Sequence, residues 1–207
     1  MRDRQTITRG RKFDQVRDGA SAVFLRDGYA GASVDDIARA GRVSKATLYS
    51  YFPDKKLMFQ EVLEAAMAQA FASSPVVAAQ GVSIDPGLRD MLNHIGLWIV
   101  RPQHLRLQRV LMAESERFPG LLQSYRRQLD DSIMAPLTAA FETWRDAGQI
   151  VAGDCGQLAR LTFSLLAGGL HLLSLPNRDG SVIENPVAQI ACETSDMVCR
   201  AHGPRAA

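Results

Sequence analysis

The side chains best suited to specific chemistry lie close together, in the segment from Ser44 to Tyr51. Leu48 and Phe52 stand four residues apart, so on a helix they share one face and can dock on neighbouring helices. The side chains that then point outward or sideways are small or polar: Lys45, Ala46, Thr47, Ser50 and Tyr51. The segment therefore predicts a helix with one packed apolar side and one exposed polar side.

These outward-facing side chains match the surface of double-stranded DNA. Ala46 and Thr47 are small enough to let a helix approach base edges, and their methyl groups can contact a thymine methyl. Lysine ammonium groups can neutralise phosphates, and tyrosine hydroxyls can bond phosphate oxygens. The residues available for such phosphate contacts are Lys45, Lys55, Tyr49 and Tyr51.

The remaining titratable residues show no arrangement typical of an enzyme. The four histidines lack the spacing of metal ligands: His94, His104, His171 and His202. Glu114 and Glu116 are two residues apart, so on a helix their carboxylates point in different directions. No glycine-rich phosphate loop follows a strand, because strand-like alternation is hard to find. The sequence predicts no catalytic site, no metal and no cofactor, and a helical enzyme with an unrecognised site is the alternative.

Two short predicted helices joined by a tight turn would position the segment. Ser33 is the predicted N-cap of the first helix, which ends at Gly41, and Ser44 is that of the second, which ends before Pro53. A longer helix that ends at Gly28 precedes them. This order is typical of a helix-turn-helix, in which one helix braces and the next enters the major groove. Three core helices with polar surfaces and no ligand are the alternative interpretation.

Helical periodicity continues along the chain, so the predicted fold class is all-α, with about nine helices. A fourth helix begins near Asp54 or Lys55, and after it we place helices at about 87–100, 103–115, 120–147, 154–174 and 185–201. Pro136 is expected to kink the third of these. We divide the chain into an N-terminal helix-turn-helix domain with a basic arm, residues 1–54, and a C-terminal helical effector and dimerisation domain, residues 55–207. The last two helices are so apolar that they predict a homodimer, with packing inside one chain as the alternative.

Charge is unevenly distributed along the sequence. Residues 1–60 hold 12 Lys or Arg against 7 Asp or Glu, whereas residues 61–207 hold 12 against 15. A basic front is typical of a surface that meets a polyanion, while a disordered tail or a module that binds protein or membrane surfaces are alternatives. We expect no secretory signal and no membrane span. Three widely spaced cysteines fit a reducing cytoplasm.

The segment from Gly28 to Lys55 resembles the N-terminal domain of the TetR/AcrR family of transcription regulators. The resemblance spans residues 13–62 and rests on Gly28-Tyr29, on Thr47-Leu48-Tyr49 with Phe52, and on Asp54-Lys55, all at family spacing. It implies a homodimer whose three-helix heads bind a palindromic DNA operator, a helical C-terminal domain that binds a small-molecule effector, and repression as the usual outcome. The run from Glu114 to Pro119 is similar to a C-terminal subtype of the same family.

The resemblance also implies roles by position. Residues at the start of the second short helix would lie against base edges or the adjacent backbone, and others would lie near phosphates. The implied DNA-binding set is Ser33, Val34, Ser44, Lys45, Ala46, Thr47, Tyr49, Tyr51 and Lys55. Val34 departs from the family pattern, because many relatives have a hydroxyl residue there.

An effector pocket is expected among the middle helices, because small-molecule sites are mostly apolar with a few polar groups. The candidates are Met91, His94, Trp98, Met112, Phe141 and Trp144, with Arg106 or Arg109 as anchors for an acidic ligand. Plain core or plain surface is the alternative for each, and the effector is expected to be apolar or amphipathic. Cys192 and Cys199 are seven residues apart on one helix face, which suits either a redox switch or inert buried thiols.

Overall fold

The computed structural model describes residues 10–75, 83–173 and 186–204, and every regular element in them is helical. The helices are α1 (Arg11–Gly31), α2 (Val34–Ala40), α3 (Lys45–Tyr51), α4 (Lys55–Ala72), α5 (Ile84–Ile99), α6 (Pro102–Ala113), α7 (Pro119–Leu129), α8 (Ala135–Asp146), α9 (Cys155–Leu173) and α10 (Pro186–His202). A π-helical segment, Asp130–Met134, joins α7 and α8 into one interrupted helix, so the described helices number nine. The predicted all-α fold class is confirmed. Most of the predicted basic arm, residues 1–9, lies outside the described residues.

Glycine and proline interrupt two long helices at the positions that the sequence predicts. In α1, Gly28 has a φ of +71°, which glycine adopts without steric penalty, and one more helical turn follows. A π-helical turn lies directly before Pro136, where the Ala135 N–H donates to the Asp130 carbonyl five residues back. Because proline has no N–H and its ring crowds the preceding turn, this wider turn accommodates Pro136.

The described residues pack into two compact units that interleave in sequence. The first unit holds the residues up to Ala70 together with Arg106–Tyr125, and the second holds Phe71–Leu105 together with the residues from Arg126 onward. In the first unit, the Phe118 and Phe59 ring centroids are 4.7 Å apart, so α4 shares a core with a segment distant in sequence. The boundary between the two packed units therefore differs from the predicted domain boundary after residue 54. That predicted boundary separates functions, DNA binding from effector binding and dimerisation, and it stays a prediction.

Apolar side chains from α1, α2 and α3 form a common core in the first unit. The neighbouring helices contribute buried apolar residues to it, among them Val16, Val23, Phe24 and Ile37. Leu48 itself is fully buried, and the Phe52 ring stacks on Phe13 with centroids 5.7 Å apart. A fully buried Leu or Phe side chain contributes roughly 1.5–3 kcal/mol, so this packing fixes the inner side of α3.

Two glycines allow α1 to touch the turn that follows α2. A Cβ on Gly19 would lie 2.6 Å from the Gly41 Cα and closer still to its backbone nitrogen. A Cβ on Gly41 would lie 2.9 Å from the Gln15 carbonyl oxygen. Both distances are shorter than carbon contacts allow, and the opposing atoms are backbone, so neither position accepts a larger residue unless the helices move apart.

Gly19→Ala is expected to destabilise the first unit by roughly 1–3 kcal/mol, the usual cost of overpacking, although alanine favours a helix. Chemical denaturation with detection of helix content measures this change. Gly120→Ala is the matched control, because a Cβ there meets nothing within 4 Å. Equal stability of the two variants would contradict the close contact.

The second unit is built on α5, α8, α9 and α10. Its largest fully buried side chains are aromatic: Trp98, Phe141 and Trp144. In α9, a Cβ on Gly169 would lie 3.1 Å from the Ile190 side chain of α10, whereas one on Gly168 would meet nothing within 4 Å. None of the described helices is long and apolar enough to cross a membrane.

The cysteines of the second unit are all free thiols. Cys155 is buried, whereas Cys192 and Cys199 are half-buried. Burial raises the pKa of the Cys199 thiol. Because the thiolate is the form that oxidants attack, this environment favours the inert interpretation over the redox switch.

His104 is a buried histidine in an aromatic cluster. Its side chain is 2% exposed, and its ring centroid lies 4.0 Å from that of Trp98 and 6.3 Å from that of Phe71. Desolvation by burial, followed by repulsion from the nearby charge of Arg101, lowers the pKa of His104 to about 4. The His104 ring is therefore neutral at pH 7, and its packing among the aromatic side chains depends on the ring remaining neutral.

Acid is expected to weaken the folded state through His104. Its folded pKa of about 4 is below the unfolded value of 6.5, so the unfolded chain binds more protons between these values. The stabilisation is fully present above pH 6.5 and is lost as pH falls towards 4, by roughly 3 kcal/mol in total. Denaturation midpoints measured at pH 7.5 and pH 5 in wild type and His104→Phe test this difference.

His94→Gln, which removes an exposed histidine, is the matched control and is measured at the same two pH values. A pH dependence in His104→Phe as steep as in the wild type would show that other groups cause the acid sensitivity.

Candidate nucleic-acid interface

Serine hydroxyls cap both short helices of the helix-turn-helix. The Ser33 Oγ accepts the Asp36 N–H at 3.0 Å, and the Ser44 Oγ accepts the Thr47 N–H at 3.0 Å, which confirms both predicted N-caps. Such caps contribute roughly 0.5–2 kcal/mol, which matters for helices of seven residues. The Ser33 hydroxyl also donates to the Asp36 carboxylate at 2.7 Å, and the Ser44 and Thr47 hydroxyls lie 2.9 Å apart.

The turn between α2 and α3 contains one residue in the left-handed region. Gly41 ends α2 as predicted, but its φ of −76° is right-handed. The left-handed residue is Arg42, with a φ of +53°. Glycine is therefore needed at position 41 because of the close contact with α1, and not because of the backbone conformation there.

The outer face of α3 carries the side chains that the sequence predicts. Lys45, Ala46, Tyr49 and Ser50 are exposed, and Thr47 and Tyr51 are half-buried. The Tyr51 ring meets Phe13 edge-on at 5.8 Å, so it is partly held by the core. Of the other predicted contact residues, Ser33 and Ser44 are exposed and Val34 and Lys55 are half-buried.

Lys45, the first residue of α3, forms an ion pair across the turn. Its Nζ lies 2.6 Å from the Asp35 carboxylate, and both side chains are more than half exposed. The hydrogen bond to Asp35 raises the pKa of Lys45, so the ammonium stays charged. Exposed pairs contribute about 0.2–1 kcal/mol, so this one yields readily to a phosphate.

Lys55, at the start of α4, lies over an aromatic ring. Its Nζ is 4.7 Å from the centroid of Tyr29, and the Arg117 guanidinium is 5.1 Å from the same centroid. Cation–π contacts at exposed sites are worth about 0.5–1 kcal/mol. The lysine that the sequence assigned to phosphate neutralisation therefore has an aromatic partner within its own unit.

Glu114 fixes the end of α1, a role that sequence reasoning missed. Its carboxylate accepts the Tyr29 N–H at 2.9 Å, lies 3.4 Å from the Arg117 guanidinium, and is 13% exposed. The Phe118 ring packs edge-on against Tyr29 at 5.0 Å. No local signal reveals this contact, because the hydrogen-bonded residues are 85 positions apart.

The predicted effector residues do not share one environment. Four of them are buried in the second unit: Met91, Trp98, Phe141 and Trp144. His94 is exposed and lies 3.4 Å from the Asp90 carboxylate, whereas Met112 belongs to the first unit and is 61% exposed. These last two side chains face solvent, and their contact with an effector stays a prediction. Arg106 is exposed, and Arg109 donates to the Leu25 carbonyl at 3.3 Å.

Comparison with known protein families identifies both halves of the chain. Residues 16–62 match the model of bacterial regulatory proteins of the tetR family, and residues 86–204 match the C-terminal domain of AefR-like transcriptional repressors. Among individual proteins, the HTH-type transcriptional repressor SCO4008 of Streptomyces coelicolor is 39% identical over 62 residues, 30% of this chain and 32% of that protein. The negative transcriptional regulator IcaR of the Staphylococcus aureus biofilm operon is 23% identical over 132 residues, 62% of this chain and 69% of IcaR.

Solved structures show the same relationship. The flavonoid-responsive regulator FrrA superimposes with a TM-score of 0.71 at 30% identity, over 96% of this chain and 100% of FrrA. A TetR-family regulator from Mesorhizobium loti superimposes with a TM-score of 0.74 at 24% identity, over 94% of this chain and 98% of that one. Together with the capped helix-turn-helix and its exposed α3, these matches show that the chain belongs to the TetR family of DNA-binding transcriptional regulators.

Proposed function

We propose that this protein is a cytoplasmic, ligand-responsive repressor. As a homodimer it binds a palindromic operator, and it releases the DNA when a small apolar or amphipathic effector binds. The observation that carries this proposal is the two-sided character of α3, whose Leu48 is fully buried while Lys45, Ala46 and Tyr49 are exposed. A helix held outward in this way is prepared for the major groove without further folding.

In this proposal, the exposed face of α3 reads the operator. Lys45, Ala46, Thr47 and Tyr49 meet base edges or the adjacent backbone, and Ser33, Val34, Ser44, Tyr51 and Lys55 lie along the phosphates. On binding DNA, Lys45 leaves the Asp35 carboxylate and Lys55 leaves the Tyr29 ring, and each ammonium group then contacts a phosphate oxygen. Both exchanges give up weak contacts, because an exposed ion pair contributes about 0.2–1 kcal/mol and an exposed cation–π contact about 0.5–1 kcal/mol.

Dimerisation through α9 and α10 is supported by exposed apolar side chains on both helices. Leu161 and Leu165 of α9 are 56% and 45% exposed, and Met197 of α10 is 56% exposed. Large apolar side chains that cluster on a surface are typical of protein interfaces. Operator binding by such a dimer requires its two α3 helices to reach successive major grooves, about 34 Å or a multiple of this apart.

The response to an effector is supported by relatives and by the apolar interior of the second unit. FrrA is described as flavonoid-responsive, and IcaR and SCO4008 as negative regulators or repressors. The buried candidates Met91, Trp98, Phe141 and Trp144 would meet an apolar effector. Such a ligand weakens DNA binding only as far as it binds the released state more tightly than the DNA-bound state.

Two substitutions at the ion pair beside α3 are expected to change DNA affinity in opposite directions. Lys45→Ala removes a phosphate partner and should weaken binding by about eightfold per head at about 0.1 M salt, the effect of one released counterion. Asp35→Asn removes a competing carboxylate and should strengthen binding. Fluorescence anisotropy with an operator chosen from a random DNA library measures both.

The control for lost charge is Arg126→Ala, because Arg126 is exposed and lies outside the DNA-binding set. A Lys45→Ala variant that binds like Arg126→Ala would contradict the assigned orientation of α3.

The dimer interface is expected to fail when charge is placed on α9. Leu161→Asp combined with Leu165→Asp should give monomers that bind the operator at least tenfold more weakly, because buried carboxylates carry a large desolvation cost. Sedimentation velocity at micromolar concentration measures the mass. Leu97→Asp, at a residue of α5 that is 46% exposed, is the control and should stay dimeric. A double variant that remains a dimer would exclude this surface.

A further inference from the structure

The turn that leads into α3 has the hydrogen bonds of a Schellman motif. The Val43 N–H donates to the Ala38 carbonyl at 3.0 Å, and the Arg42 N–H donates to the Arg39 carbonyl at 3.2 Å. In this motif the residue after the helix end adopts a left-handed conformation, and glycine usually occupies that position. In this chain the position is occupied by Arg42, with a φ of +53°.

An arginine at this position costs stability. In the left-handed region a Cβ lies too close to the following carbonyl oxygen, a clash that glycine avoids. Among the described residues, Arg42 is the one non-glycine residue with a positive φ. Its side chain is exposed, so no core packing compensates for the strain. Strained residues of this kind cluster where the side chain serves a function.

Arg42 also differs from neighbouring cations in its electrostatic surroundings. Arg39 lies 2.7 Å from the Asp36 carboxylate, and Lys45 lies 2.6 Å from that of Asp35. Among the described residues, no carboxylate lies within ion-pairing distance of the Arg42 guanidinium. Its charge is therefore available to a ligand without the loss of an existing pair.

We propose that Arg42 is a further DNA-binding residue, whose guanidinium binds a backbone phosphate beside the groove that α3 enters. This inference rests on the proposed function. Arg42 lies two residues before the N-cap Ser44, at the same end of α3 as Lys45, and outside the helical turns that would face base edges. The planar guanidinium offers paired N–H donors that match two phosphate oxygens.

Three substitutions separate the charge from the backbone conformation. Arg42→Gly removes both the charge and the strain, Arg42→Asn removes the charge with a residue that tolerates the left-handed region, and Arg42→Lys keeps the charge. Each variant is titrated with the selected operator and with a random duplex of equal length, over a salt series from about 0.05 to 0.2 M. Thermal unfolding of the same samples reports stability.

We expect Arg42→Gly and Arg42→Asn to bind both duplexes about eightfold more weakly per head at about 0.1 M salt. The slope of log affinity against log salt should fall by about 0.9 per head, and Arg42→Lys should stay near the wild type. The melting temperature of Arg42→Gly should equal or exceed that of the wild type, because the strain is gone.

Wild-type affinity and salt dependence in Arg42→Gly would overturn the contact and leave the proposed function intact. A loss confined to the operator would overturn the phosphate assignment, because phosphate contacts carry no sequence information. A lower melting temperature in both Arg42→Gly and Arg42→Asn would contradict the strain argument. A wild type that binds neither duplex would instead remove the proposed function, and the Arg42 contact with it.

Discussion

The contact between α1 and the turn after α2 is the constraint on which the DNA-binding head depends. Because Gly19 and Gly41 present no side chains, two backbones meet directly and their separation is set by atomic radii. That contact, with Leu48 buried beneath α3, fixes the direction in which α3 points. The serine caps stabilise the two seven-residue helices α2 and α3, so the exposed face of α3 is formed before DNA binds.

The charges around this rigid frame are held loosely by comparison. Lys45 pairs with exposed Asp35, and Lys55 lies on Tyr29, in contacts that each contribute about 1 kcal/mol or less. A DNA phosphate can replace these partners of Lys45 and Lys55, whereas the buried packing of Leu48 is unaffected by DNA. The combination of a fixed backbone and exchangeable side-chain partners suits the proposed cycle of DNA binding and release.

The sequence predicts the parts of this structure that local rules control. Ser33 and Ser44 are found as caps, and Leu48 is found buried, because capping and helical periodicity act over a few residues. Contacts between distant segments escape such rules, as the bond from Glu114 to Tyr29 across 85 residues shows. Residue type alone also does not determine which way a helix face turns, and His94 and Met112, both chosen as pocket candidates, are exposed.

If α3 is an exposed, preorganised reader of DNA, the protein should select specific fragments from a random duplex library. We expect sequencing of the bound fragments to recover an inverted repeat whose half-site centres lie about 10 base pairs, or a multiple of this, apart. Recovered fragments with no shared sequence, or failure of the protein to retain any duplex at low salt, would contradict it.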